Sequence, residues 1–184
     1  HSATAFSLAF ACYALALIVT APFLGPLPDR IGRKPCVLIG LVLAAIATLG
    51  LALSPTLPML AAARTLQGLA MGCVAGAAAA WGAELAGGGD AARRAAAIVT
   101  TATAGSFGVG ALLTLGALVL APDHRPPVTF WAQAALALGL LPVLARLPET
   151  LRDPARGWLR RPAFPPGTWA TTLPMLAAWG STGT

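Results

Sequence analysis

The sequence has very little charge. Only 10% of its 184 residues are Asp, Glu, Lys or Arg, whereas a typical soluble domain has roughly 25%. Hydrophobic residues make up 57% and the mean hydropathy is +0.77. Uncharged runs of about 17–25 residues can cross the ~30 Å hydrocarbon core of a bilayer as helices, and several follow one another here. The sequence therefore predicts an all-α, polytopic bundle of membrane helices.

Residues that carry chemistry are also scarce. The three cysteines, Cys12, Cys36 and Cys73, share no ligand-like spacing and have no nearby histidine, so we predict no metal site and no disulfide. A phosphate-binding P-loop is absent, which argues against direct use of ATP. No Ser-His-Asp or Cys-His grouping falls within an apolar run. We therefore expect neither a cofactor nor enzymatic activity.

Five apolar runs, one of them interrupted by Arg64, are long enough to span a membrane, and a sixth begins near the end of the chain. The predicted spans are 4–24, 35–53, 56–81, 95–120 and 128–145. We expect residues 1–150 to form a partial helix bundle, residues 151–167 a loop, and residues 168–184 the start of a truncated span. Because both ends of the chain lie in or next to apolar runs, we expect a fragment of a longer protein.

Basic residues collect on one side of this arrangement. Three, two and five of the twelve Lys and Arg residues lie in segments 25–34, 84–94 and 146–161, which alternate with segments 54–58 and 121–127. Basic residues mark the cytoplasmic loops of membrane proteins. The bias predicts the orientation and explains the net charge of +6 without a nucleic-acid partner.

One segment concentrates charge. In "GPLPDRIGRKP", residues 25–35, four charged residues occupy six positions. A basic loop that fixes orientation explains Arg30, Arg33 and Lys34, but it does not explain Asp29. Glycines next to the charges indicate a tight turn that approaches another helix closely.

The pattern G-x-x-x-D-R-x-G-R-K resembles the signature between the second and third helices of the major facilitator superfamily. Its residues here are Gly25, Asp29, Arg30, Gly32, Arg33 and Lys34. The resemblance implies helices two to six and the start of seven, without the first helix and the second half. It also implies a conformational latch, in which Asp29 meets cations and the positive end of a helix in the other half, while Arg30 and Arg33 orient it or contact lipid phosphate.

Arg64 lies within a predicted span, where a guanidinium costs at least ~2.5–3.5 kcal/mol. It either snorkels to the outer interface or faces a polar interior, and Gln67 one turn on favours the interior. Gly68, Gly72 and Gly76 form a stripe for close helix packing. R-x-x-Q-G resembles the family's fourth-helix motif, which implies a cavity-lining arginine linked to proton coupling. Being always charged, Arg64 would tune a carboxylate pKa or hold an anionic group.

Proton coupling is implied by the resemblance alone, because no Asp or Glu lies well inside a predicted span. The run 95–120 is placed like the family's fifth helix, where antiporters often show G-x-x-x-G-P-x-x-G-G. The Gly-Pro pair is missing here, because Ala111 follows Gly110. We therefore prefer a role in helix packing for the glycines of this run, namely Gly105, Gly108 and Gly110.

The segment L-P-E-T, residues 147–150, resembles the inner end of the family's sixth helix. We expect Glu149 to make a charge contact at the cytoplasmic side, with Arg93 or Arg94 among its candidate partners. Such a contact would act in gating, since exposed ion pairs contribute only about 0–1 kcal/mol.

The favoured interpretation is a secondary transporter that moves a small molecule by alternating access. We expect proton-coupled efflux across a bacterial inner (plasma) membrane, with the lipid bilayer, the substrate, protons and the missing helices as partners. One alternative is a membrane-embedded enzyme, such as a lipid-modifying transferase, built on Asp29 with Arg30 and Arg33. A second is a truncated membrane protein without function.

Overall fold

The computed structural model describes residues 3–121, 123 and 126–151. These residues form helices and contain no strand. The helices are α1 (Ala3–Leu24), α2 (Pro28–Ile31), α3 (Arg33–Ala52), α4 (Leu57–Leu85), α5 (Gly89–Leu120) and α6 (Val128–Ala145). Residues 152–184, which include most of the predicted loop and the start of a sixth span, lie outside the described part.

Four helices, α3 to α6, are long and apolar enough to cross a bilayer. Helix α1 has 22 residues and contains the apolar stretch Ala11–Thr20. Many large apolar side chains on α5 and α6 face outward, with Leu112 71% exposed and Leu136 64% exposed. An apolar exterior is what a bilayer requires, so the chain is an integral, multi-pass membrane protein and the predicted all-α class is confirmed.

The predicted connection 84–94 is too long. Helix α4 continues through Leu85 and α5 already begins at Gly89, so only residues 86–88 connect them. Charged residues stop a hydrocarbon span, but they do not stop a helix that continues into water. Glu84 and Asp90 therefore lie on helix ends instead of in a loop.

Helix α4 is the centre of the bundle. It packs against α1, α3 and α5, and α3 packs in turn against α6. The contacts use small side chains: a Cβ atom added at Gly40 of α3 would lie 2.2 Å from Val74 Cγ2 of α4. Because Gly40 has no side chain, the backbones of α3 and α4 come close enough for dispersion contacts along the two helices.

One end of the bundle carries most of the charge. Helices α1, α4 and α6 end here, and α3 and α5 begin here; we call it the charged end. A buried cluster of Cys36, Val37, Ala77 and Trp81 lies just inside it, with Leu144 of α6 packed against the cluster. This cluster fixes the first turn of α3 against the last turns of α4 and α6.

Candidate functional site

Arg33 is the central residue of the charged end. It is the first residue of α3, and its Nη1 contacts Asp29 Oδ1 of α2. Its Nη2 lies 3.3 Å from Glu84 Oε1 in the last turn of α4. The Arg33 side chain is only 14% exposed, so the guanidinium is enclosed between the two carboxylates. We call Asp29, Arg33 and Glu84 the latch cluster.

Gly32 makes the entry into α3 possible. Its φ of +109° lies in the region that side-chain-bearing residues avoid. A Cβ atom at this position would also lie 2.3 Å from Glu149 Oε2. Glycine is therefore required twice here, once for the backbone turn and once for the space that the Glu149 carboxylate occupies. Gly25, in contrast, lies in the exposed turn between α1 and α2.

Glu149 caps the N-terminus of α3 from a distant part of the sequence. The first N–H groups of a helix have no intrahelical acceptor, and a carboxylate placed there is favoured by the helix dipole. Glu149 Oε1 accepts the N–H of Arg33 at 3.1 Å, and Oε2 accepts the N–H of Lys34 at 3.0 Å. No other side chain among the described residues caps α3.

The same carboxylate also fixes its own loop. Glu149 Oε1 accepts the N–H groups of Thr150 at 2.8 Å and Leu151 at 3.0 Å. Loss of hydration by itself would raise the pKa of Glu149, but the backbone N–H groups of Leu151, Arg33, Thr150 and Lys34 outweigh it and hold the pKa below its ordinary value. Glu149 is therefore kept ionised.

The residues on either side of Glu149 are held as well. The indole N–H of Trp81 donates to the carbonyl oxygen of Pro148 at 3.1 Å. The hydroxyl of Thr150 donates to Glu84 Oε2. Glu84 thus accepts from Thr150 with one oxygen and pairs with Arg33 through the other.

The expected pairing of Glu149 with Arg93 or Arg94 is not what the structure contains. Arg93 pairs instead with Asp90 in the first turn of α5. Both side chains are more than 70% exposed, so this pair contributes little to stability. The prediction counted formal charges and overlooked the backbone N–H groups of α3. Of the signature residues, Lys34 contacts Glu149 through its backbone, and Arg30 lies half-buried on α2.

Arg64 and Gln67 form a separate polar pair. Arg64 Nη1 donates to Gln67 Oε1 at 2.9 Å, and both residues are half-buried on α4. Twenty residues of helix separate Arg64 from Glu84, which is about 30 Å at 1.5 Å per residue. The pair therefore lies far from the latch cluster.

The glycines predicted to serve helix packing divide into two groups. Gly68 and Gly72 lie against α1, where added Cβ atoms would meet Tyr13 O at 2.6 Å and Thr20 Oγ1 at 2.5 Å. For the other four, an added Cβ atom would meet no described atom within 4 Å, and their packing role stays a prediction. These four are Gly76, Gly105, Gly108 and Gly110.

Comparison with known proteins decides the family. The sequence model of the Major Facilitator Superfamily matches residues 1–182. The chain belongs to the Major Facilitator Superfamily. The resemblance found in the sequence is thereby confirmed, and the chain is a member of a family of membrane transporters.

Individual relatives of this superfamily member match over shorter segments. It is 42% identical over 66 residues to "Multidrug resistance protein MdtL" of Shewanella oneidensis, which is 36% of this chain and 17% of the relative. It is 43% identical over 72 residues to "Tetracycline resistance protein, class B" of Escherichia coli, covering 38% and 18%. It is 38% identical over 60 residues to "Multidrug resistance protein D" of Escherichia coli K12, covering 33% and 15%. Each match thus spans less than a fifth of the relative.

Four residues at the charged end take part in its ion pairs and hydrogen bonds but were not predicted to do so from the sequence. They are Trp81, Glu84, Pro148 and Thr150. In the sequence, Glu84 was noted only as part of the segment 84–94, and Pro148 and Thr150 only as parts of L-P-E-T. A usable signal was present: the acids nearest to the predicted inner ends of the third and fifth spans are Glu84 and Glu149.

Among the described residues, no three His, Cys, Asp or Glu side chains converge as a metal site would require. The cysteines Cys36 and Cys73 are buried and unpaired, and Cys12 is half-buried. Ion pairs and hydrogen bonds connect the helix ends at the charged end.

Proposed function

We propose that the chain is part of a secondary transporter that exports a small molecule across a bacterial inner membrane by alternating access, in exchange for protons. The observation that carries this proposal is the latch cluster. One guanidinium joins α2 and α3 to α4 at the charged end, and the excess of Lys and Arg at this end supports a cytoplasmic position for it.

Alternating access needs contacts that form in one state and break in another. The latch cluster suits this role because its members come from separate elements and remain near the surface. Partial exposure keeps the pairing weak enough to break. Asp29 would also face a helix end of the second half of the transporter, and Arg30 and Lys34 would supply further charge to the same loop.

The names of the relatives support export. Two are multidrug resistance proteins and one is a tetracycline resistance protein, all bacterial. For this chain, a small drug-like substrate, the export direction, proton coupling and the bacterial inner membrane are proposals. The first helix and the second half of the transporter would be supplied by a longer protein.

Arg64 and Gln67 are the proposed polar site of the cavity. Gln67 holds the guanidinium at 2.9 Å, which fixes a permanent positive charge on α4. In this position, Arg64 would lower the pKa of a carboxylate supplied by another helix, or bind an anionic group of the substrate.

The transport assay uses the full-length protein containing this chain, reconstituted in vesicles with an imposed pH gradient. Movement of tetracycline and of a cationic dye is followed by fluorescence. Arg64→Ala is expected to reduce gradient-driven transport at least about tenfold with expression unchanged, because the fixed charge is lost. Arg93→Ala, which removes an exposed cation, is the matched control and is expected to transport normally. Unchanged transport in Arg64→Ala would reject the role of Arg64, and no transport of any probe by the parent protein would count against the proposed substrate class.

A further inference from the structure

Three consecutive residues after α6 each contact a different part of the bundle. The carbonyl of Pro148 accepts the indole N–H of Trp81. The carboxylate of Glu149 accepts the first two N–H groups of α3, and the hydroxyl of Thr150 donates to Glu84. We call residues 148–150 the clip.

Two clip contacts hold the two partners of one ion pair. Glu149 fixes the backbone of Arg33, whose side chain pairs with Glu84. Thr150, the next residue, fixes the other carboxylate oxygen of that same Glu84. Trp81, only 4% exposed, ties the clip to the buried cluster inside the charged end.

We infer that the clip is a single positioning unit that holds Arg33 and Glu84 against each other. Glu149 and Thr150 are its positioning residues, and Trp81 is its anchor. The inference deepens the proposed function and rests on it for the role of the latch in transport. It follows that movement of residues 148–150 away from the bundle and separation of Arg33 from Glu84 are one event.

Hydrogen exchange at two amides tests the inference directly. The N–H groups of Arg33 and Lys34 are the first two of α3, and a helix offers them no acceptor of its own. Glu149 supplies both acceptors, so slow exchange at these amides reports an intact clip. The measurement uses the full-length protein that contains this chain, in lipid nanodiscs, with exchange followed residue by residue by NMR.

Substitutions of Glu149 give an atom-specific expectation. In Glu149→Ala, both amides should exchange at least about tenfold faster, as expected for loss of a hydrogen bond to a charged group. Glu149→Gln retains one carbonyl oxygen. With that oxygen in the position of Oε1, which accepts from Arg33, Thr150 and Leu151, the Arg33 amide stays slow and only the Lys34 amide becomes fast.

Substitutions elsewhere in the clip test whether it acts as a unit. Thr150→Val removes the contact with Glu84, and Trp81→Phe removes the contact with Pro148. Neither residue touches the two amides, yet both variants should speed their exchange several-fold. Trp131→Phe, at a residue that is 45% exposed on α6, is the matched control and should leave them slow. If the amides stay slow in Thr150→Val and Trp81→Phe, the contacts are independent and the inference is overturned.

The side chain of Arg33 provides the readout of positioning. Its Nε–H donates to Glu84 Oε1 at 3.3 Å, so its NMR signal should be sharp in the parent protein and should broaden or exchange at least about tenfold faster in Glu149→Ala. An unchanged Arg33 Nε–H signal with fast amides would show a helix cap without a positioning role, and would overturn the inference. Amides in the middle of α3 must stay slow in each variant. If Trp81→Phe fails that check, Thr150→Val, which removes a single hydroxyl, decides the test.

The exchange measurement needs neither substrate nor a pH gradient. A clip that responds as described in a full-length protein that moves no substrate would reject the proposed function alone. If the parent protein transports substrate but the exchange rates of the Arg33 and Lys34 amides are unchanged in the clip variants, the clip inference alone is rejected.

Discussion

At the scale of single residues, Gly32 carries the clearest structural requirement. It combines a φ of +109° with the Glu149 carboxylate where a side chain would begin. Gly87, between α4 and α5, has a similar φ of +83° but no described atom within 4 Å of an added Cβ atom. The two glycines therefore separate backbone strain from the loss of the Glu149 contact.

Gly32→Ala is expected to destabilise the protein more than Gly87→Ala. Both variants place alanine in a region that costs of order 1–3 kcal/mol, but only the first also displaces Glu149 from the N-terminus of α3. Thermal unfolding in detergent measures the difference, and the melting temperature of Gly32→Ala should be the lower of the two. Equal melting temperatures would show that the carboxylate contact contributes nothing.

The lowered pKa of Glu149 allows a prediction of how stability depends on pH. Its folded-state pKa lies below its ordinary value, so the folded state favours the ionised form. The resulting stabilisation is fully present above the unfolded pKa of about 4.3 and is lost as the pH falls through the folded pKa. The melting-temperature gap between the parent and Glu149→Gln should be constant from pH 7 to pH 6 and should shrink below pH 4. A gap that stays constant down to pH 3 would contradict the lowered pKa.

Single residues also show which contacts can be predicted from the sequence and which cannot. Asp29 and Arg33 lie four positions apart, so their proximity follows from the signature itself. Arg33 and Glu84 are 51 positions apart, and Arg33 and Glu149 are 116 apart. Those contacts depend on which helices are neighbours and on backbone N–H donors, which a count of charges does not include.

At the scale of the elements, hydrophobic runs predict the presence of the helices well, but they predict the first and last residues of each helix less well. The predicted apolar runs coincide with α1, α3, α4, α5 and α6 because a helix in hydrocarbon must be largely apolar. The ends differ by up to six residues, as at Gly89 against the expected residue 95, since a helix can extend beyond the membrane into water.

Helix α4 packs through part of its glycine stripe. Gly68 and Gly72 lie against α1, whereas an added Cβ atom at Gly76 would meet no described atom within 4 Å. The regular spacing of the glycines predicts a close-packed face on α4. The number of glycines does not predict how many of them contact α1.

Gly68→Val should therefore destabilise the bundle, whereas Gly76→Val should not. At Gly68, the new side chain would overlap the backbone oxygen of Tyr13 and the Cβ of Ala16, and overpacking of this kind costs about 1–3 kcal/mol. Thermal unfolding of both variants in the same detergent tests this expectation. A melting temperature of Gly68→Val within error of Gly76→Val would show that α1 and α4 are not in close contact.

At the scale of the whole molecule, the charged end joins elements that are far apart in sequence. Through Arg33, Glu84 and Glu149, the ends of α2, α3, α4 and the chain after α6 meet at one place. The predicted family, the all-α class and the side on which charge collects follow from composition and from one dense signature. The pairing of Arg33 with Glu84 follows only from the packing of the bundle.

The measurement that tests this account most directly compares two acids at the same end of the full-length protein. Asp29→Asn removes a carboxylate of the latch cluster, and Asp90→Asn removes the exposed partner of Arg93. In vesicles with an imposed pH gradient, Asp29→Asn should slow drug transport several-fold and change the rate at which a thiol reagent labels cysteines introduced into the cavity, while Asp90→Asn should match the parent. Identical turnover and labelling in Asp29→Asn and the parent would contradict the role of the latch cluster in alternating access.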